Sequence, residues 1–194
     1  RHTRMPLAQY GKEDVRKIAR ELGLPVASKP DSQEICFIPD QDYVKFLEEY
    51  TGRTMPKGHF VDTAGHVLGE HQGLWRDTVG QRKGLNLSMG HPVFVTAIRP
   101  ETNEVVIGEN QDVFTDRVRC SKLNWMAVEG LKGRALSVRA KIRYSHSGEQ
   151  CVVNEIGEDL AECRFVSPVR AATPGQAVVF YDEQGYVAGG GTIL

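Results

Sequence analysis

Apolar residues recur at helical spacing near the start of the chain and at alternating spacing through the rest, and this division predicts two kinds of structure. Between Lys12 and Leu22, apolar side chains stand at Val15, Ile18, Ala19 and Leu22, the i, i+3, i+4, i+7 stripe of an amphipathic helix. Gly23 and Pro25 supply its stop. A second, shorter helix is predicted from Asp42 to Tyr50. Asp40 or Asp42 serves as N-cap, Val44, Phe46 and Leu47 anchor it, and Gly52 lies past its end.

Beyond Gly52 the period changes to two. "HFVDTAGHVLGEH" reads as two short strands around Ala64-Gly65, and "PVFVTAIRPETNEVVIGE" as a second hairpin turning near Glu101 to Glu104. In "ALSVRAKIRYS" the alternation places Leu136, Val138, Ala140, Ile142 and Tyr144 on one face and Ser137, Arg139, Lys141 and Arg143 on the other. "QCVVNEI", "LAECRFV", "QAVVFYD" and "GYVAGGGTIL" follow, separated by turn-forming residues. Many short strands at close spacing point to small β-barrels or a sandwich. An acidic, turn-like stretch from Asn110 to Asp116 marks a boundary between two hairpin sets. The expected class is mainly β, with a short helical N-terminal segment, a small central β domain and a C-terminal antiparallel β-barrel.

Charge changes this picture only locally. The 194 residues carry 24 Lys+Arg against 25 Asp+Glu, so overall balance is silent about nucleic acid and any such contact must come from a patch. Cys36, Cys120, Cys151 and Cys163 form no C-x-x-C pair, and the six histidines show no i, i+4 metal spacing, so no metal is expected. With no signal peptide and no apolar run of spanning length, the setting expected is cytoplasmic and reducing, without membrane contact. The opening "RHTRMPLAQYGKEDVRKIARELGLP" reads as the middle of something larger.

Four stretches are candidates for chemistry. Cys120, Cys151 and Cys163 lie in strand-like runs and read as core. Cys36, in "DSQEICFIPD", has Ile35, Phe37 and Ile38 beside it, which favour packing. Its polar approach and flanking Pro30 and Pro39 instead place it on a connection, where function concentrates. The residues alone leave both readings open. The glycine run Gly189–Gly191 lacks the Gly-Lys-Ser/Thr ending of a phosphate loop and reads as a strand-end turn or bulge. "VGQRKGL" sets Arg82 and Lys83 between glycines, either a solvated turn or backbone amides and cations placed against a phosphate backbone. Arg139, Lys141 and Arg143 make either a solvated sheet face or a nucleic-acid track, to which Tyr144 and His146 add stacking groups.

Read together, "GKEDVRKIARELGLPVASKPDSQEICFIP", "GEHQGLWRDTVGQRKGLNL", "KIRYSHSGEQCVV" and "SPVRAATPGQAVVFYDEQGYVAGGGTI" resemble, in order, segments of the tRNA-specific 2-thiouridylases, the MnmA/TrmU family. One departure is Arg76-Asp77, where an aromatic commonly precedes the Thr. The resemblance implies residues 1–38 as the tail of a catalytic ATP-pyrophosphatase domain, 39–112 as a central β domain and 113–194 as a C-terminal β-barrel. It implies sulfur transfer to C2 of the wobble uridine of tRNA after ATP-dependent adenylation, with Cys36 carrying a persulfide and a second cysteine releasing the sulfur through a disulfide. It further implies tRNA contacts at Arg143, Tyr144 and Gln176, which agree with the basic strand; Arg82 and Lys83 stand as candidate tRNA contacts on the residue pattern alone. The partners implied are tRNA and a sulfur donor, either a cysteine desulfurase or a sulfur-relay protein. The family's S-G-G-x-D-S loop does not occur in the 194 residues. ATP is therefore expected to bind an absent N-terminal domain, and the chain alone is expected to be inactive. The alternatives are a non-catalytic RNA-binding β-barrel module and a sulfur-relay or redox protein using Cys36 alone.

Overall fold

The computed structural model describes residues 4–29, 38 and 42–194, so Cys36 lies outside the described residues. The chain divides into two compact units, Arg1–Gly52 and Arg53–Leu194.

Among the described residues the first unit holds two helices, α1 (Lys12–Glu21) and α2 (Tyr43–Thr51). At the start of α1 the Asp14 carboxylate accepts from the Gly11 N–H at 3.0 Å. None of its residues is fully buried, and Leu22, Leu24 and Val26 beyond it are exposed. At α2 Asp42 is the N-cap, accepting from the Lys45 N–H at 3.0 Å, and Gly52 closes the helix with φ 65°. Both ends match the sequence signals to within a residue.

The second unit is built from ten strands. β1 (Gly58–Val61), β2 (Val67–His71), β3 (Phe94–Arg99) and β4 (Glu104–Gly108) form one sheet in the order β2-β1-β4-β3. The two hairpins read from the sequence are both present, and they join through a parallel β1–β4 pairing. Phe60, Leu74, Val95, Val105 and Ile107 make the core of this sheet.

A short 3₁₀ turn, Asn110–Val113, leads into the remaining strands. These are β5 (Phe114–Trp125), β6 (Leu136–Lys141), β7 (Glu149–Gly157), β8 (Leu160–Arg170), β9 (Ala177–Tyr181) and β10 (Val187–Ile193). They close as a barrel in the order β10-β5-β8-β7-β6-β9, every pairing antiparallel. Closure removes exposed sheet edges and encloses one core, in which Val138, Ala140, Val153, Val178 and Phe180 are buried. Trp125 stacks on Phe180 at 5.7 Å between ring centres.

The glycine run lies inside β10, where the pairing with β5 shifts register between Gly190 and Thr192, so of the two sequence readings the bulge is present and the strand-end turn is not. Its role is close approach. A Cβ on Gly189 would lie 2.6 Å from the Trp125 ring, one on Gly190 2.6 Å from the Val178 carbonyl oxygen, and one on Gly191 2.8 Å from the Ser121 carbonyl oxygen.

Alternation along β6 holds through Ile142, which is buried, but Tyr144 is fully exposed and does not face the core. The ladder explains the difference. The β6–β7 pairing ends at Ala140↔Glu149 and the β6–β9 pairing at Lys141↔Val179, so nothing holds the pleat beyond Lys141.

Candidate nucleic-acid interface

Because Val138, Ala140 and Ile142 point inward, Arg139 and Lys141 are turned to the outer face of the barrel. Register sets their neighbours: Gln150 of β7, Arg139 of β6 and Tyr181 of β9 form one lateral row, and Lys141 pairs with Val179 in the next. The Lys141 ammonium stands 5.9 Å from the centre of the Tyr181 ring, a cation–π contact. Among the described residues no ion pair links Arg139, Lys141 or Arg143 to a carboxylate, whereas Arg119 and Arg164 share Glu162 at 3.3 and 3.0 Å. These three side chains are thus unpaired by any carboxylate among the described residues.

A groove of about 590 Å³ runs here, lined by Lys141, Arg143, Tyr144, Gln176, Val179 and Tyr181. Arg143 and Tyr144, adjacent in the sequence, thus meet Gln176 from beyond two further strands on one surface. Tyr181 joins them, a residue the sequence did not single out, although it lies in the strand run "QAVVFYD". Arg143 is half-buried because its Nη1 donates to the Arg170 carbonyl at 3.0 Å, which leaves its remaining N–H groups for the groove.

Arg82 and Lys83 do not line this groove. Both are exposed on a turn of the central sheet, braced internally by Gln81, whose side chain accepts from the Thr78 N–H at 2.9 Å and donates to the Lys83 carbonyl at 3.1 Å. That turn abuts the barrel through Arg170, whose guanidinium lies 5.2 Å from the Phe94 ring centre and reaches the Gly80 carbonyl at 3.5 Å. A Cβ on Gly80 would lie 2.5 Å from Cβ of Ala171, so the approach depends on glycine. Arg170 therefore touches both the Gly80 turn and Arg143.

His146 is half-buried rather than displayed beside Tyr144, and its Nδ1 has no protein partner. Burial, with Arg143 next in weight, holds its imidazole below the usual histidine range. It consequently adds no charge to the groove at neutral pH. Cys120, Cys151 and Cys163 are all buried in the barrel core. Hydrogen bonds with the two neighbouring thiols, and then burial, push the Cys163 thiol far up, while its hydrogen bond with Cys163 holds the Cys120 thiol below the usual thiol range; with all three closed to solvent, the cluster is packing. Among the described residues no group of three or more His, Cys, Asp or Glu is placed to hold a metal ion, and no helix is long and apolar enough to cross a membrane.

Three family models match consecutive parts of the chain. A tRNA methyl transferase HUP domain covers residues 1–40, a tRNA methyl transferase PRC-barrel domain 44–109, and an aminomethyltransferase β-barrel domain 115–193. The tRNA-specific 2-thiouridylase MnmA of Lachnoclostridium phytofermentans is 56% identical over 99% of this chain and 53% of its own length. Those of Carboxydothermus hydrogenoformans and Acetivibrio thermocellus are 50% and 46% identical, over 97% and 100% of this chain and 51% and 53% of theirs. The chain belongs to the tRNA-specific 2-thiouridylase family. It spans about half the length of these curated relatives. The family resemblance read from the four sequence segments is borne out, as is the mainly β class.

Within this 2-thiouridylase-family chain, the Arg76-Asp77 departure has a physical consequence. Asp77 follows the 3₁₀ turn Leu74–Arg76, is only 8% exposed, and its Oδ2 has no hydrogen-bond partner. The neighbouring His71 cannot supply one: its Nδ1 accepts from the Gly73 N–H at 3.1 Å, so its Nε2 donates to the Asn103 carbonyl at 3.1 Å. Burial pushes the Asp77 carboxyl above its ordinary value of 3.8. The unfolded chain therefore releases this proton first, and stability falls as pH rises from about 4 through the folded-state value. Asp77→Asn is expected to gain about 1 kcal/mol at pH 7 and to lose this part of the pH dependence. Urea midpoints at pH 4 and pH 7 check it; a variant that tracks the parent at both would contradict it.

Proposed function

We propose that this chain is the sulfur-carrying and tRNA-binding part of a tRNA 2-thiouridylase. The observation that carries the reading is the D-S-Q-E-I-C-F motif joined, in one family-matched chain, to an unneutralised basic groove. Cys36 takes sulfur as a persulfide from a cysteine desulfurase or a sulfur-relay protein. ATP, held by residues outside this chain, adenylates the C2 oxygen of the wobble uridine and releases pyrophosphate. The terminal persulfide sulfur attacks C2, and AMP departs with the former C2 oxygen. A second cysteine then attacks the Cys36 sulfur, so that the S–S bond breaks, the transferred sulfur stays on C2, and Cys36 ends in a disulfide that cellular thiols reduce.

The barrel groove serves this chemistry by holding the tRNA. Lys141 and Arg143 face phosphate, Tyr144 offers a stacking surface, and Gln176 supplies an amide able to donate and accept. Arg82 and Lys83 extend the positive surface on the neighbouring turn. The setting proposed is cytoplasmic, where thiols are kept reduced.

The test is persulfide loading. The purified chain, given a cysteine desulfurase and cysteine, is expected to gain one sulfur on the peptide containing Cys36 and none on Cys120, Cys151 or Cys163. Cys36→Ser should abolish the adduct. An adduct spread over the four thiols, or none on Cys36, would contradict its role. With ATP and tRNA added, the 194-residue chain alone is expected to leave the tRNA unthiolated.

A further inference from the structure

A second cavity, about 490 Å³, adjoins the groove on the outer face of the barrel, and its chemistry differs. The two share Lys141 and Tyr181, so the cation–π pair at 5.9 Å stands between them as a common wall. The first groove offers cations and an exposed ring. The second is lined by Ser137, Arg139, Lys141, Gln150, Asp182 and Glu183, that is, by neutral hydrogen-bonding groups and two carboxylates beside two cations. Oδ1 of Asp182 is committed to its own turn, accepting from the Gln184 and Tyr186 N–H groups at 2.9 and 2.8 Å. Glu183, also lining the cavity, is exposed and forms no ion pair among the described residues, so its whole carboxylate is available as an acceptor, whereas Asp182 keeps only Oδ2.

The two carboxylates offset the two cations, so this chamber lacks the net positive charge of the groove beside it and does not continue the backbone track. It suits a nucleobase edge, with Tyr181 as the flat wall, Gln150 as donor and acceptor, and Glu183 as an acceptor for an exocyclic amino group. We infer that the cavity is a subsite for one unpaired nucleotide of the bound RNA, and that Glu183 makes it prefer a base with an amino group over uracil. Cytosine presents an N4 amino donor where uracil presents an O4 acceptor, and the two pyrimidines differ little in stacking area. The inference rests on the reading of the adjoining groove as an RNA surface.

The experiment compares fluorescein-labelled hexacytidylate and hexauridylate, with whole tRNA alongside, in anisotropy titrations of the parent chain, Glu183→Gln and Arg143→Ala. The parent is expected to bind hexacytidylate about fivefold or more tighter than hexauridylate. Glu183→Gln should bring the ratio close to one, while Arg143→Ala should weaken both oligonucleotides and preserve their ratio. Equal affinities in the parent, with Arg143→Ala weakening both, would overturn the subsite and leave the RNA groove standing. A ratio that survives Glu183→Gln, or binding of tRNA but of neither oligonucleotide, would also overturn it. Binding of no RNA at all would overturn the groove and the subsite together.

Discussion

Gly190→Ala is expected to unfold the barrel at urea concentrations that leave the parent intact, through the addition of a single methyl group. That methyl would lie 2.6 Å from the Val178 carbonyl oxygen, a backbone atom of β9 in the middle of the β10–β9 ladder. On its other side Gly190 pairs with Asn124 of β5, so β10 cannot move away from one neighbour without straining the other. A flexible side chain could yield to such a contact; two flanking strands of a closed barrel cannot. The expected loss is about 3 kcal/mol, at the upper end of overpacking costs. Gly185→Ala is the control. Gly185 adopts φ +84° with nothing within 4 Å of its missing Cβ, so alanine there meets only left-handed backbone strain, about 1 kcal/mol. Equal urea midpoints for the two variants would contradict the close-approach reading.

The contrast between these glycines also shows what the sequence could and could not reveal. Local signals were legible wherever the cause is local. Asp42 and Gly52 bound α2 because caps act within one turn, and the Pro100–Asn103 turn separates β3 from β4 where the alternation breaks. The inward set Val138, Ala140 and Ile142 followed from the period of two alone. Neighbours distant in sequence were not legible. Nothing in "GYVAGGGTIL" says that β10 closes the barrel on β5, yet that closure is why three glycines stand in a row. Nor does alternation announce where a ladder stops, and so the period of two sets Tyr144 on the core face while its reading as a stacking group needs the exposed position it has.

The same limit governs the groove. Arg143, Tyr144 and Gln176 were named separately, the first two from a basic strand and all three from family resemblance, and only the barrel brings them onto one wall. Tyr181 and Arg170, which complete that wall and brace it, carry no motif. Their roles come from β6–β9 register and from packing against Gly80 and Phe94. Asp77 is the reverse case: its oddness was visible in the sequence, but its orphaned oxygen was not.

Arg143→Ala carries the other large expected effect. Arg143 forms no ion pair among the described residues, and one of its nitrogens is anchored on the Arg170 carbonyl, so the guanidinium is held in the groove at little further entropic cost on binding. Its loss should weaken tRNA binding by about tenfold and reduce the dependence of log affinity on log salt by about one phosphate contact. Because Arg143 also holds Arg170, the folded state of the variant has to be checked by its urea midpoint, which is expected to fall by about 1 kcal/mol for the one lost hydrogen bond. Lys141→Ala lacks that structural bond and should produce a similar drop in salt slope with a smaller effect on stability. The most direct measurement is therefore tRNA affinity as a function of salt for the parent, Arg143→Ala and Lys141→Ala. Weaker binding with a shallower slope in both variants is the expected result. Slopes and affinities unchanged from the parent would leave this face merely solvated and contradict its assignment as the tRNA-binding surface.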